Sequence, residues 1–113
     1  MSKQDDFLKK LYEANYVDEN KMAVIASAKT LPSGEFGMCI LCINDGNLFI
    51  LDTDFKQNIG ELLYTIDLRQ ITDFKSSAFI FNPYIKFNYK GARFNLTNFG
   101  NAKNFITTLT SHL

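Results

Sequence analysis

Runs rich in apolar residues are broken in two places by turn-forming pairs, so that two β-hairpins are spelled out almost in full. The first runs from Glu35 to Asp52 around Asn44-Asp45-Gly46-Asn47. With Asp45-Gly46 as a two-residue type I′ loop, Ile43 falls opposite Leu48, Cys42 opposite Phe49, Leu41 opposite Ile50 and Ile40 opposite Leu51. Both faces of that hairpin are then apolar: Cys39, Leu41, Ile43, Leu48 and Ile50 on one, and Met38, Ile40, Cys42, Phe49 and Leu51 on the other. Only one of them can line an interior. The second hairpin, Ile85 to Leu96, turns at Lys90-Gly91 and sets Phe87 opposite Phe94, Ile85 opposite Leu96, Lys86 opposite Asn95 and Asn88 opposite Arg93, the half-buried pattern of a sheet with one wet face.

The remaining segments fill in an order of many strands closed by a helix. Asp5 to Ala14 reads as a helix with Phe7, Leu11 and Ala14 on one face and Leu8 and Tyr12 beside it. Met22 to Lys29 reads as a strand ended by Leu31-Pro32-Ser33-Gly34, because proline cannot donate to a ladder and glycine permits a tight turn. A polar connection over residues 54–60 leads to a short strand, Leu62 to Ile66; a bend at Asp67-Leu68-Arg69-Gln70 leads to another, Ile71 to Lys75. Phe79 to Tyr89 reads as strand again, with a bulge or edge position at Asn82-Pro83. Asn101 stands as the cap of a closing helix whose Ala102, Phe105, Ile106, Leu109 and Leu113 form one stripe. The expectation is a mainly β chain of about seven antiparallel strands with helices before and after them.

Composition narrows the function more than it names it. The 113 residues suffice for one core, and 12 Lys/Arg against 12 Asp/Glu create no global field toward nucleic acid or an anionic membrane. The charge is uneven: residues 1–20 hold three Lys against five Asp/Glu, residues 61–113 six Lys/Arg against three. No apolar stretch is long enough to span a bilayer, and Met-Ser-Lys-Gln-Asp-Asp has no signal-peptide core, which points to the cytoplasm. Cys39 and Cys42 have C-x-x-C spacing, but three apart in a strand they point to opposite faces, no second cysteine pair exists, and the only histidine is His112. Two reduced, buried thiols are expected, and no metal or cofactor.

Strands followed by one amphipathic C-terminal helix is the order of the pleckstrin-homology superfold, and two segments sharpen the likeness. Leu41-Cys42-Ile43-Asn44-Asp45-Gly46-Asn47-Leu48-Phe49-Ile50 resembles the second hairpin element of bacterial pleckstrin-homology-like and GRAM-like domains; Ile66-Asp67-Leu68-Arg69-Gln70-Ile71-Thr72-Asp73-Phe74 is similar to the bend that follows it. The resemblance covers residues 21–113 and leaves residues 1–20 as an added helical extension. It implies a partly open barrel of two nearly orthogonal sheets with the C-terminal helix plugging one end. It implies no single function, since the superfold hosts lipid binding, peptide binding and architectural roles. In lipid-binding members the loop after the first strand carries several Lys/Arg; here Lys29-Thr30-Leu31-Pro32-Ser33-Gly34-Glu35 supplies one cation and one acid.

Candidate chemistry is correspondingly thin. Lys86, Lys90 and Arg93, with Tyr84 in line, form a candidate anion-binding cluster on the last hairpin, although three such cations also suit an ordinary solvated face that discourages edge association. Asp52-Thr53-Asp54 has the composition of turn chemistry rather than a metal site, and without a central histidine or activated nucleophile no acid/base or covalent machinery assembles. The expectation is a non-enzymatic protein-interaction or scaffold module whose partner the sequence does not name, with peripheral binding of anionic phospholipid head groups as the alternative and no nucleic-acid role. The candidate interaction surface is the surplus hairpin face, Met38, Ile40, Cys42, Phe49 and Leu51. Its cover is either the first helix, docked in cis or exchanged in a homodimer, or a partner.

Overall fold

The computed structural model describes residues 3–19, 21–34, 37–54, 58–79 and 81–113, with side chains from residue 6 onward; Glu35 and Phe36 of the first hairpin and residues 55–57 of the polar connection lie outside them. Helix α1 (Lys3–Glu13) precedes strands β1 (Ala23–Thr30), β2 (Gly37–Asn44), β3 (Asn47–Asp52) and β4 (Leu62–Asp67). A single 3₁₀ turn, Leu68–Gln70, leads to β5 (Thr72–Ser77), β6 (Tyr84–Tyr89) and β7 (Ala92–Thr97), and helix α2 (Ala102–Thr110) follows. The architecture is mainly β, as the sequence predicts.

All seven strands are antiparallel and join in one open sheet in the order β4-β3-β2-β1-β7-β6-β5. The two halves expected as separate sheets are thus hydrogen-bonded to each other through β1 and β7, where the register slips between Ala28 and Thr30. The sheet curls on itself: the ring of Tyr64 on edge strand β4 meets that of Phe94 on β7 edge-on at 5.1 Å, although three strands lie between them in sheet order. The Tyr64 hydroxyl also accepts the Ser33 N–H at 3.0 Å, tying the loop after β1 to β4. Both hairpin registers are those the turns dictate, from Ile43 opposite Leu48 to Ile40 opposite Leu51 and from Ile85 opposite Leu96 to Asn88 opposite Arg93. Asp45 and Gly46 have φ of 53° and 76°, and Lys90 and Gly91 51° and 79°, the left-handed pair that a type I′ turn requires.

The concave side holds the main core: Cys39, Leu41, Ile43, Leu48 and Ile50 from the first hairpin, Ile85, Phe87, Phe94 and Leu96 from the last, and Phe105 and Leu109 of α2 closing one end. Phe87 and Phe94 stack at 5.0 Å, and Phe99 meets Phe105 edge-on at 5.5 Å where α2 docks. The second apolar face forms a separate buried cluster on the outside of the sheet, where Phe7 and Leu11 of α1 and Val17 cover Ala23, Ile40, Cys42 and Leu51. The surplus face is therefore covered in cis.

Three local expectations need correction. Ala14 lies beyond the end of α1 and is exposed, as is Tyr12, over whose ring the Lys21 ammonium sits at 5.7 Å; Val17 and Tyr16 complete the apolar contact instead. Phe79, Phe81 and Asn82 are not strand, and Ile80 lies outside the described residues: the Phe79 N–H donates to Ser77 Oγ (3.2 Å) and the Asn82 N–H to the Phe79 carbonyl (3.0 Å), local bonds that replace a ladder just before Pro83. At the closing helix Asn101 is left-handed (φ 54°) and its side chain bonds Asn104 at 2.9 Å rather than capping the backbone. Leu113 leaves the stripe and is exposed, since Thr110 and Ser111 hydroxyls donate to the carbonyls of Thr107 and Thr108 and end the helix before it.

Candidate functional site

The surplus face of the first hairpin is not an open surface. Ile40, Cys42 and Leu51 are fully buried, Phe49 is half-buried with the Tyr16 ring edge-on at 5.5 Å, and Met38 alone stands exposed at the start of β2. The Asn44 side chain adds a 2.9 Å bond to the Asn15 carbonyl, fastening the end of α1 beside the hairpin turn. The two thiols lie on opposite sides of the sheet, Cys39 in the main core and Cys42 under α1. Burial pushes each up to about 12, with the charge of Asp52 adding to the shift at Cys39. Neither is disulfide-bonded.

The candidate cations separate. Ile85 and Phe87 point inward, so Tyr84, Lys86 and Asn88 project from the outer face of β6, with Arg93 opposite Asn88 on β7. Lys90 stands at the turn instead, its ammonium 5.3 Å from the ring of Tyr89, which packs toward the core. Arg93 donates to Asn88 at 3.5 Å, and Asn88 donates to Asp73 at 3.0 Å, so a carboxylate at the edge of the face tempers the guanidinium. Lys86 lies over the Tyr84 ring at 5.0 Å.

Lys75 is the residue that sequence reading missed. It is the cross-strand partner of Lys86, and with Phe74 packed toward the core it shares the outer face. A like-charged cross-strand pair is ordinarily unfavourable, so its presence sets this face apart from a neutralised one. A count in the sequence carries the signal: all 12 acidic residues lie at or before Asp73, while residues 74–113 contain Lys75, Lys86, Lys90, Arg93 and Lys103. The strands bearing Lys75 and Lys86 run into a loop whose Phe79 and Phe81 are 63% and 85% exposed. Their rings touch each other edge-on at 5.7 Å.

The acidic clusters serve local structure. Asp52 Oδ1 accepts the Thr53 N–H at 3.0 Å, Thr53 Oγ1 donates to the Asn58 carbonyl at 2.6 Å, and Asp54 receives two bonds from Asn58. Asp67 Oδ1 accepts both the backbone N–H and Nε of Arg69, at 3.0 and 3.1 Å, which holds its carboxyl below the ordinary value and fixes the 3₁₀ turn. Among the described residues no group of His, Cys, Asp and Glu is arranged to hold a metal ion, and no helix is long and apolar enough to cross a membrane. His112 follows α2 with its N–H on the Leu109 carbonyl.

No protein-family model and no curated protein matches the chain. Among solved structures it is similar to the C-terminal domain of an unknown protein from Leishmania infantum, with 16% identity, a TM-score of 0.58 and coverage of 98% of this chain and 97% of that one. It is also similar to the pleckstrin homology domain of ArhGAP27, with 13% identity, a TM-score of 0.52 and coverage of 80% and 96%. At these identities the likeness is one of fold, and a bacterial or GRAM-like kinship gains no support from it. The chain has a pleckstrin-homology-like fold.

Proposed function

We propose that this protein is a non-enzymatic binding module that docks an anionic partner on the outer face of β5–β7, with residues 1–20 as an extension that serves the fold by covering the first hairpin. The observation that carries this reading is the Lys75–Lys86 cross-strand pair on a face whose strands, from residue 74 on, contain no acid. An anion set against that pair relieves its repulsion and gains charge-assisted hydrogen bonds from both ammonium groups. Arg93 extends the face along the same hairpin, while Lys90 stands apart from it at the turn. A scaffold role built on Met38, Ile40, Cys42, Phe49 and Leu51 has less support, because α1 already fills most of that face; a homodimer formed there meets the same obstacle.

Each cation close to an anionic surface is worth about 1 kcal/mol, so Lys75, Lys86 and Arg93 together give weak, salt-sensitive binding rather than a tight stereospecific site. The test is titration against a soluble polyanion, heparin, at low and at physiological salt. Binding that weakens with salt and disappears in a Lys75→Glu/Lys86→Glu variant supports the reading. Binding that ignores salt, or that survives both substitutions, overturns it.

A further inference from the structure

We propose that the loop bearing Phe79 and Phe81 is a membrane-contacting finger, so that the anionic partner of the β5–β7 face is a bilayer containing acidic lipid. This rests on the reading above and adds the source of the anion. Phe79 and Phe81 are far more exposed than the other described phenylalanines, and their rings pack on each other instead of on the core. The base of the loop is nonetheless tied down. Pro83 is buried, its carbonyl accepts the Asn98 N–H at 3.1 Å, and the Phe79–Asn82 bond closes a turn at the tip. A fixed base with an apolar tip is suited to presenting aromatic rings to a surface.

The surroundings carry the charge complement. The last rung before the loop on the outer face is Ser77 opposite Tyr84, and Lys75 opposite Lys86 lies two residues further down, roughly 7 Å along the strands. Ala78 and Pro83 also line a cleft of about 480 Å³ with Asn101, Ala102, Lys103 and Asn104 at the start of α2, which brings a third cation beside the loop. Phenylalanines at the tip, a tyrosine one level below and lysines around them reproduce the layering of an interfacial segment, whose long cationic side chains reach head groups while the rings enter the boundary. This end of the barrel is the one where β7 finishes and α2 begins. It lies opposite the Lys90-Gly91 turn, so Lys75, Lys86 and Lys103 are the cations that engage the bilayer and Lys90 stands away from it.

Area separates a bilayer from a second copy of the chain. Two aromatic side chains bury roughly 150–250 Å² each, whereas a stable protein–protein contact takes roughly 1,200–2,000 Å² in all. A two-ring tip is too small for a dimer seam and sufficient for reversible membrane contact.

The chain has no tryptophan, so an F81W variant carries a single reporter at the tip. With vesicles of equimolar phosphatidylcholine and phosphatidylserine its emission should shift to the blue and be quenched by lipids brominated on the acyl chains, and neither should occur with phosphatidylcholine alone. In the native background F79S/F81S should weaken vesicle sedimentation roughly tenfold or more while leaving thermal melting and heparin binding unchanged. Vesicle binding with unshifted, unquenched emission overturns the finger and leaves the cationic face standing. So does heparin binding without vesicle binding. Self-association in lipid-free sedimentation velocity that F79S/F81S abolishes would make the loop a seam between copies and overturn the proposal as well. Loss of heparin binding in Lys75→Glu/Lys86→Glu tests the face alone, independently of the tip.

Discussion

The rings of Tyr16 and Phe49 meet edge-on at 5.5 Å, joining the segment after α1 to the outer face of β3. Through that contact and the burial of Phe7, Leu11 and Val17, a helix distant in sequence from the hairpin becomes part of its packing. Without it, Ile40, Cys42 and Leu51 would stand in water on the outside of a barrel that already has a full core. The N-terminal helix therefore belongs to the stability of the domain, while the cationic outer face of β5–β7, toward the other end of the sheet order, carries no such helix.

Leu11 is fully buried against the sheet. Leu11→Ala should cost about 2–5 kcal/mol, a large share of the roughly 5–15 kcal/mol that hold a small domain together. Urea titration measures the loss, with an unchanged slope showing that the native compactness persists. Deleting residues 1–20 should lower the melting temperature and promote association through the uncovered hairpin face, seen by sedimentation velocity. A truncated chain that stays monomeric and equally stable would mean that α1 is dispensable. A Tyr16→Ala/Phe49→Ala double-mutant cycle should show a coupling of about 0.5–1.5 kcal/mol.

The thiols should be inert in the native protein. With Cys39 and Cys42 each raised to about 12 by burial, the reactive thiolate is scarce at neutral pH, and the two side chains lie on opposite sides of the sheet. Ellman's reagent should modify neither until urea unfolds the chain, after which both react together. Fast labelling of either one under native conditions would show that the core or the α1 contact opens locally.

The second turn carries a residue in a conformation it does not favour. Lys90 has φ of 51°, a region that asparagine and glycine tolerate far better, while its ammonium gains a modest contact with the Tyr89 ring. Lys90→Asn should raise stability by a few tenths of a kcal/mol to about 1 kcal/mol, net of the lost cation–π contact, and Lys90→Val should lower it by a comparable amount or more. Urea midpoints at constant slope give the comparison. A neutral or destabilising asparagine would mean that the ring contact outweighs the backbone strain.

What the sequence made legible and what it concealed divide along physical lines. Two-residue turns fix a pairing register by geometry, which is why Ile43 to Ile40 and Ile85 to Asn88 find the partners that reading the turns predicts. Lys75 was hidden because the β5–β6 register slips between Thr72 and Lys75, where Asp73 has φ of 51°, and alternation carries no signal for such an irregularity. Phe79 and Phe81 were concealed by their own composition, since aromatic residues read as strand and only the side-chain and backbone bonds at Ser77 and Asn82 turn them outward. The cover over the first hairpin was legible as a need, yet Val17 and Tyr16, which help to meet it, lie past the helix that the periodicity marks.

The acid limb of the stability curve should bear the mark of Asp67. Its carboxylate accepts the side chain and backbone N–H of Arg69, and the charges of Arg69 and Lys90 help to hold it below its ordinary value of 3.8. A carboxyl depressed in the folded state adds stability that is fully present above the unfolded value and is lost as pH falls through the folded one. Asp67→Asn keeps an acceptor for the Arg69 N–H but has no charge to titrate. The variant should therefore be less stable than the native chain at neutral pH, and the gap should close as pH drops below about 4, the range in which unfolded aspartate takes up its proton. Urea midpoints measured from neutral pH down into that range give the test, with the native curve falling toward the variant's. A gap that stayed constant with pH would mean that Asp67 acts through its hydrogen bonds alone, and the 3₁₀ turn between the two edge strands would then owe nothing to the charge on either partner.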